Sequence, residues 1–476
     1  VDAGVAFVLS GKTGAVLRAV YGAPGFRPSA VAAAGDADGD AVPDFLVGAS
    51  ANGSSALGPG GAARLYSGAT GALLWTVGGT TLNDGFGQAL DGVGDVNGDG
   101  LSDVVVSTVL PPGSSQPGYV RAFSGATGAL LWQRVGSYAA HRLGYSVAGA
   151  GDVNGDGVPD VIAGAIGDHT FGFNNGAAYV YDGATGATLR TFVGAAGGHR
   201  LGYSVDGVGD MNGDGFAETI VGTFRTNGAG YARVYDGATG ALRFETVDPN
   251  VAAHYGHTVA SAGDWNGDGV PDVIVSGPDA TIGTLTGAGY VKILSGIDGA
   301  TIRRFDGTTA NRPFGFALGG AGDLDGDGLP EAFATGISAS APGLLVALGR
   351  HGARPYGAAS GGGVPCDLSW FPGPPTARAA GALVGVGPPS APALLGASLG
   401  AGFATLGGVD VLIALDEGAW LALPTTLDGA GGLLFSLDLR APALSGIALR
   451  LQLVAADASA PLGLSASRGL ELLFGA

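Results

Sequence analysis

The 476-residue chain exceeds one ordinary domain, and its 93 glycines lack the triplet period of a collagen. Charged residues are only 13% and hydrophobic ones 46%, which excludes a disordered polyelectrolyte. A net charge of −18 argues against nucleic acid or an anionic membrane as partner.

In chain order, the segment Gly-Asp-x-Asn/Asp-Gly-Asp recurs with its first aspartate at Asp36, Asp95, Asp152, Asp210, Asp264 and Asp323, at spacings of 59, 57, 58, 54 and 59 residues. Between the copies stand Ser67-Gly-Ala-Thr-Gly71, Ser124-Gly-Ala-Thr-Gly128, Asp182-Gly-Ala-Thr-Gly186, Asp236-Gly-Ala-Thr-Gly240 and the looser Ser295-Gly-Ile-Asp-Gly299, with an early copy at Ser10–Gly14. A third phrase precedes the acidic segments, as in Leu143-Gly-Tyr-Ser-Val147 and Leu201-Gly-Tyr-Ser-Val205. Each unit reads as four short strands; in the third they run Leu143–Ala150, Asp160–Ala165, Ala177–Tyr181 and Thr188–Val193. Four-stranded repeats too small to bury a face alone are stable when stacked radially, so the expected fold is all-β, a six-bladed β-propeller. Third-strand candidates number seven, beginning with Val5–Leu9, which leaves a seven-bladed ring as the alternative. Val5–Leu9 is expected to close the ring on the sixth unit, or else to pair with a neighbouring molecule.

The acidic loops carry oxygen-bearing side chains at positions 1, 3, 5 and 9. These are Asp36, Asp38, Asp40 and Asp44; Asp95, Asn97, Asp99 and Asp103; Asp152, Asn154, Asp156 and Asp160; Asp210, Asn212, Asp214 and Glu218; Asp264, Asn266, Asp268 and Asp272; and Asp323, Asp325, Asp327 and Glu331. Position 4 is always glycine. Position 7 is always apolar (Val42, Leu101, Val158, Phe216, Val270, Leu329), which suits a residue that lends its carbonyl oxygen while its side chain enters the core. Four side chains, one carbonyl and a further oxygen make six or seven hard ligands, the set that Ca²⁺ takes. Solvated Asx-turns are the plain alternative. Against it, the loops hold 20 of the chain's 40 carboxylates, and clusters this tight repel themselves unless neutralised. Six Ca²⁺ ions, adding twelve positive charges, would bring the net charge from −18 to −6. The loops are not EF-hands: position 12 is Val47, Val106 or Ala163 in the first three, and strands flank them. Asp168, outside the loops, is expected to matter less to stability than Asp156.

The aromatic-glycine phrase, the Asp-x-Asn-Gly-Asp-Gly-x-x-Asp loop and the strands ending in Gly-Ala resemble the FG-GAP repeats of integrin α-chain propellers and their bacterial relatives, over residues 1 to about 350. The resemblance implies that each loop joins the first two strands of a blade and that the ligands are the positions named above. It further implies a secreted or surface-displayed protein serving adhesion, binding or extracellular structure. The first unit departs from the pattern, with Arg27-Pro-Ser where an aromatic-glycine pair is expected.

From about residue 350 the repeats stop. Residues 351–378 read as a Gly/Pro-rich linker and 379–476 as a β-sandwich of short apolar runs such as Ala393–Ser398, Val409–Leu415 and Leu470–Phe474. The longest uncharged stretch, 379–409, carries Pro388, Pro389 and Pro392 and is no spanning helix. One cysteine, Cys366, rules out an intrachain disulfide. The opening at Val1, without a methionine or an apolar leader, reads as a processed or trimmed form. Gly11-Lys12-Thr13 lacks the upstream glycine of a phosphate loop, and no histidine follows the elbow-like Gly396-Ala-Ser398-Leu-Gly400. His141 and His199 share a repeat position, with His254 recurring close by, and Trp75 and Trp132 share another, so these read as packing; His169, His257 and His351 are less regular and lie far apart. No His/Asp/Glu/Tyr cluster remains outside the loops, so the chain is read as non-enzymatic, with Ca²⁺ as its cofactor, no transmembrane segment, and a protein or glycan as partner. The alternatives are a self-assembling filament or coat subunit joined through the N-terminal half-blade or the C-terminal domain and, third, a polysaccharide-acting enzyme.

Overall fold

The computed structural model describes residues 5–355 except 12–13, 23–25, 27, 50–59, 81–84, 109–116, 171, 226–227, 325, 337–343 and 351, and beyond 355 the backbone of nine short strands. Two compact units divide at Tyr356. The first is all-β apart from two 3-10 turns, Ala139–His141 and Val251–Ala253.

Six four-stranded antiparallel meanders follow one another: sheets I (30–78), II (86–135), III (143–193), IV (204–248), V (259–306) and VI (314–355). The strands of sheet III are Leu143–Gly151, Asp160–Ala165, Ala177–Tyr181 and Thr188–Val193, within one residue of the expected bounds. First strands of neighbouring sheets pack side by side. Parallel bridges such as Gly61 to Phe86, Gly118 to Leu143 and Gly176 to Leu201 tie the start of a third strand to the next sheet. Across these neighbours, Asp91 on the first strand of sheet II accepts the Gly149 amide of sheet III and Asp206 on that of sheet IV accepts the Ser261 amide of sheet V. The architecture is a β-propeller, and its second strands are the most buried, every residue of 103–108, 160–165 and 272–277 being inside.

A repeated contact holds sheet to sheet. The indole of Trp75 on the fourth strand of sheet I donates to Gly125 O at 2.6 Å, and Trp132 on sheet II to Gly183 O at 2.7 Å. Each ring covers the last glycine of the next Gly-Ala-Thr-Gly turn: a Cβ on Gly128 (φ 70°) would lie 3.0 Å from Trp75, and one on Gly186 (φ 67°) 2.7 Å from Trp132. Only glycine suits both the left-handed backbone and the missing space. Arg190 repeats the contact, donating to Ala238 O at 2.7 Å. Both tryptophans are therefore packing residues, as the sequence indicates.

Among the described residues the N-terminal strands Val5–Leu9 and Val16–Tyr21 pair with each other as a two-stranded sheet. Arg18 on the second donates to Ala69 O in the turn of sheet I, the place that Trp75 takes against sheet II, so the hairpin stands where third and fourth strands of a preceding blade would stand. Closure of sheet VI by Val5–Leu9 is not what the structure shows. Leu344–Gly349 and Gly352–Pro355 already hold its third and fourth positions, the latter formed from residues expected in the linker. The first unit does possess its aromatic: Phe26, one residue before Arg27, is fully buried with Ala49, Ala62 and Tyr66, beneath the Arg64 guanidinium at 3.9 Å.

In the second unit, Gly381–Val384, Leu394–Ser398, Val409–Ala414, Trp420–Leu427 and Leu433–Leu434 form a five-stranded antiparallel sheet, and two further strand pairs follow. Trp420–Leu427 escapes the sequence reading because Pro424, opposite Asp410, breaks the strand signature. The phosphate-loop-like Lys12 and Thr13, the linker cysteine Cys366 and Asp325 of the sixth loop lie outside the described residues.

Candidate metal centre

All six acidic loops join a first strand to a second strand at one end of their sheets and share one hydrogen-bond frame. The position 1 aspartate (Asp36, Asp95, Asp152, Asp210, Asp264, Asp323) accepts the N–H of position 4 on one oxygen at 2.6 to 2.8 Å. Its other oxygen accepts the N–H of position 6 at 2.8 to 3.0 Å. Position 3 (Asp38, Asn97, Asn154, Asn212, Asn266) accepts the N–H of position 5 at 2.8 to 3.2 Å. Position 5 (Asp40, Asp99, Asp156, Asp214, Asp268, Asp327) accepts that of position 7 at 2.8 to 3.0 Å. Position 6 has a left-handed backbone throughout; glycine meets this need from the second loop on (φ 84° to 89°), whereas the first loop forces Ala41 to 65°.

Position 9 differs in kind. Asp44, Asp103, Asp160, Glu218, Asp272 and Glu331 are all buried. One oxygen of each accepts the N–H of position 2 at 2.5 to 3.0 Å. In four loops the other oxygen accepts from the glycine of the turn between third and fourth strands, Gly68, Gly125, Gly183 or Gly296, at 2.8 to 3.0 Å. Burial pushes Asp160 and Asp272 up to about 6 against these donors, with the position 5 carboxylate adding to the rise. Asp44, Asp103 and Glu218 are raised for the same leading reason. Each is a buried charge that a cation would relieve.

The side chain that enters the core is that of position 2: Ala37, Val96, Val153, Met211 and Trp265 are all buried. Position 7, expected there, is divided: half-buried Val158 and Val270 pack against the core. Val42 is exposed, and Leu101, Phe216 and Leu329 reach the position 4 glycine of the preceding loop, Gly39, Gly155 and Gly267. The reason is the frame itself: the position 2 amide must meet the buried position 9 carboxylate, which turns its side chain inward.

The donor set fits a hard divalent cation. The carboxylate oxygens of Asp36, Asp38 and Asp40 lie within 4.8 Å of one another, as do those of Asp214, Glu218 and Asp236. Each carboxylate oxygen that accepts one backbone hydrogen retains a lone pair for a metal. Asp236, which opens a Gly-Ala-Thr-Gly turn, was not among the expected ligands. Asn212 Nδ2 donates to it at 3.1 Å, and Asn154 Nδ2 likewise to Asp182 at 3.3 Å. The signal was the aspartate that replaces serine in this phrase in units three and four only.

The expectation of no polar cluster outside the loops fails. Buried His141 and Asp168 meet Tyr179, with His141 Nε2 3.0 Å from the phenol oxygen and 3.3 Å from the carboxylate. A second group joins Tyr145, Tyr203, Phe224, His254 and His257. Their members come from different strands or repeats, so only the stacking of strands and sheets unites them.

The model of the FG-GAP-like repeat family matches residues 62–163 and 210–275. Integrin alpha-4 of Xenopus laevis is 33% identical over 170 residues, covering 33% of this chain and 16% of that protein. Integrin alpha-V of Gallus gallus is 29% identical over 209 residues, 40% of this chain and 19% of that protein. Integrin alpha pat-2 of Caenorhabditis elegans is 30% identical over 261 residues, 44% and 21%. The matches thus span about a fifth of the length of these relatives or less. Among solved structures, one titled "Structure of Dos1 propeller" aligns with 71% of each chain at 12% identity and a TM-score of 0.42. The chain carries FG-GAP repeats of the kind found in integrin α chains.

Proposed function

We propose that this chain is a calcium-stabilised, non-catalytic binding module, secreted or displayed at the cell surface, whose propeller (residues 1–350, with its last strand ending at Pro355) presents a surface for a protein or glycan ligand. In this reading residues 379–476 form a β-sandwich that follows it. The observation that carries the proposal is the frame repeated among the described residues of the six loops, in which a buried position 9 carboxylate accepts the position 2 amide beside half-buried or exposed oxygens of positions 1, 3 and 5. Positions 1, 3, 5 and 9 would hold Ca²⁺ by their side chains and position 7 by its carbonyl, up to six ions in all, with Asp182 and Asp236 adding charge at the third and fourth loops. Bound Ca²⁺ supplies neutralisation of the clustered carboxylates. The chain supplies the rest: backbone amides orient each carboxylate beforehand, and the first and second, third and fourth, and fifth and sixth loops approach through positions 4 and 7.

A ligand that binds only the folded state stabilises by about 1 kcal/mol per site at a few-fold excess over its Kd, hence several kcal/mol over six sites. Thermal melts in calcium and in EDTA test this. A large fall in Tm is expected, and an unchanged melt would remove calcium from the proposal.

A second reading, self-assembly, has its own observation. The N-terminal hairpin forms a two-stranded sheet with Val16, Leu17 and Tyr21 exposed, and a lone hairpin is marginal in water. Deleting residues 1–22 would convert polymers to monomers on size exclusion if this reading holds, and would leave a monomer monomeric if it does not.

A further inference from the structure

First strands run from the sheet ends opposite the acidic loops, and at that end five aromatic or imidazole rings contributed by sheets III to VI and their adjoining segments form a continuous platform. Ring centroids are 4.9 Å apart from Tyr145 to Tyr203, 5.1 Å from Tyr203 to His257 and 5.2 Å from His257 to Phe316, with Phe224 4.7 Å from Tyr203. Tyr145, Tyr203, His257 and Phe316 occupy the same place in the repeat, two residues after Leu143, Leu201, Tyr255 and Phe314. The platform is half-buried and opens outward at Phe316.

Cations flank it. The Arg142 guanidinium lies 5.3 Å from the Tyr145 ring and that of Arg200 5.6 Å from the Phe224 ring. Arg142 is held below its ordinary range by burial, with the Arg200 charge acting in the same direction, so the two guanidiniums share one field. Among the described residues Arg200 makes no ion pair with a carboxylate. Arg142, Arg200 and His254 occupy equivalent positions with left-handed backbones at φ 56°, 50° and 50°, where glycine would relieve a cost of about 1–3 kcal/mol. Three basic residues thus stand at this end of consecutive sheets, His254 paired there with Asp279 at 2.6 Å. His257, lowered to about 4 by burial, is neutral at pH 7 and offers hydrogen bonding instead of charge.

We propose that this platform binds a uronate-bearing glycan, with the C–H faces of its sugar rings on Tyr145, Tyr203 and Phe224 and its carboxylates on Arg142 and Arg200. Guanidinium is the planar fork that matches a carboxylate, while flat rings edged by hydroxyl and imidazole suit a sugar, which is apolar on its face and polar at its rim. The proposal rests on the binding-module reading and names its ligand.

The test is calorimetric titration of the full chain in calcium with trigalacturonate, neutral maltotriose and an acidic tripeptide. Trigalacturonate is expected to bind, more weakly as salt rises, and to bind at least about tenfold tighter than the other two. Arg200→Gln and Tyr203→Ala should each cost about tenfold; if either melts lower, Arg200→Lys, which keeps the charge and loses the fork, decides. Absence of trigalacturonate binding, or binding unchanged in these variants, overturns the site. Tighter binding of the tripeptide overturns the glycan. The calcium-stabilised module fails separately, by a melt indifferent to EDTA.

Discussion

Asp160 and Asp168 flank the same second strand of sheet III, one at the acidic-loop end and one at the end near the aromatic platform, and both are buried. Asp160 accepts the amides of Val153 and Gly183, and Asp44, Asp103 and Asp272 accept the equivalent pairs in their own sheets. Asp168 accepts from Thr170 N at 2.8 Å and the Tyr179 hydroxyl at 3.2 Å and faces His141; among the described residues sheet V has a different histidine–acid pair, His254 to Asp279 at 2.6 Å. In sheet IV the corresponding histidine, His199, meets Tyr231 at 2.8 Å without an acid. One end of the sheets is thus built by repetition and the other by individual side chains. The repeated end secures the fold; the individual end is where neighbouring repeats differ and where selectivity has room to arise.

The largest effect that sharpens this contrast is expected from Asp160→Ala. It orphans two buried amides and should cost about 3 kcal/mol, in EDTA as well as in calcium. Asp156→Ala removes only an exposed acceptor and should cost about 1 kcal/mol in calcium and little in EDTA. Urea midpoints of both variants in the two buffers are the check; an Asp160→Ala that is silent in EDTA would mean that its hydrogen bonds hold nothing together.

Asp168→Ala should cost about 2 kcal/mol regardless of calcium. It is therefore not the bystander that its irregular sequence setting indicates, and its loss should exceed that of Asp156→Ala in EDTA. Burial alone would raise its carboxyl, but the Thr170 and Tyr179 donors and His141 outweigh that and hold it below the ordinary value of 3.8. A depressed carboxyl stabilises above its unfolded pKa and loses that stabilisation as pH falls through the folded value. His141, lowered by burial, adds a loss as pH drops below its ordinary 6.5. Urea midpoints at pH 7, 5 and 3 should fall less steeply for Asp168→Ala than for the parent chain.

Midway between the ends, Asp206 titrates in the opposite sense. Burial, with the Asp91 charge adding to it, raises Asp206 to about 7, although it accepts the Ser261 amide at 2.8 Å. A raised carboxyl lends stability below its unfolded pKa and loses it as pH rises through the folded value. Asp206→Asn should match the parent near pH 4 and exceed it by about 1 kcal/mol at pH 8. A parent equally stable at both pH values, with the variant no better at pH 8, would show that this burial does not penalise the charge.

The smallest effect tests repetition within the loops. Ala41 carries the left-handed backbone that glycine takes in the other five, so Ala41→Gly should stabilise by about 1 kcal/mol. A Tm that falls instead would mean that the first loop depends on its alanine.

The period near 58 residues, the four-strand unit and the ligand positions are legible in the sequence because they are local. Glycine supplies the left-handed turns, aspartate the acceptors for amides two to five residues away, and alternating Val and Ile the strands; all of these act within one repeat. Which residue of a loop turns inward was not legible. Position 7 looks like the core residue by its apolarity, yet position 2 is the one buried, because its amide must reach a carboxylate seven residues on. Phe26 was missed for a related reason: its burial depends on Arg64 and Ala62 of another strand, not on the residue that follows it. The platform of Tyr145, Tyr203, Phe224 and His257 and the His141–Asp168–Tyr179 group were decided by tertiary structure alone. Residues far apart along the chain become neighbours only when one sheet stacks on the next, and a period read along a chain carries no record of which positions that stacking brings face to face.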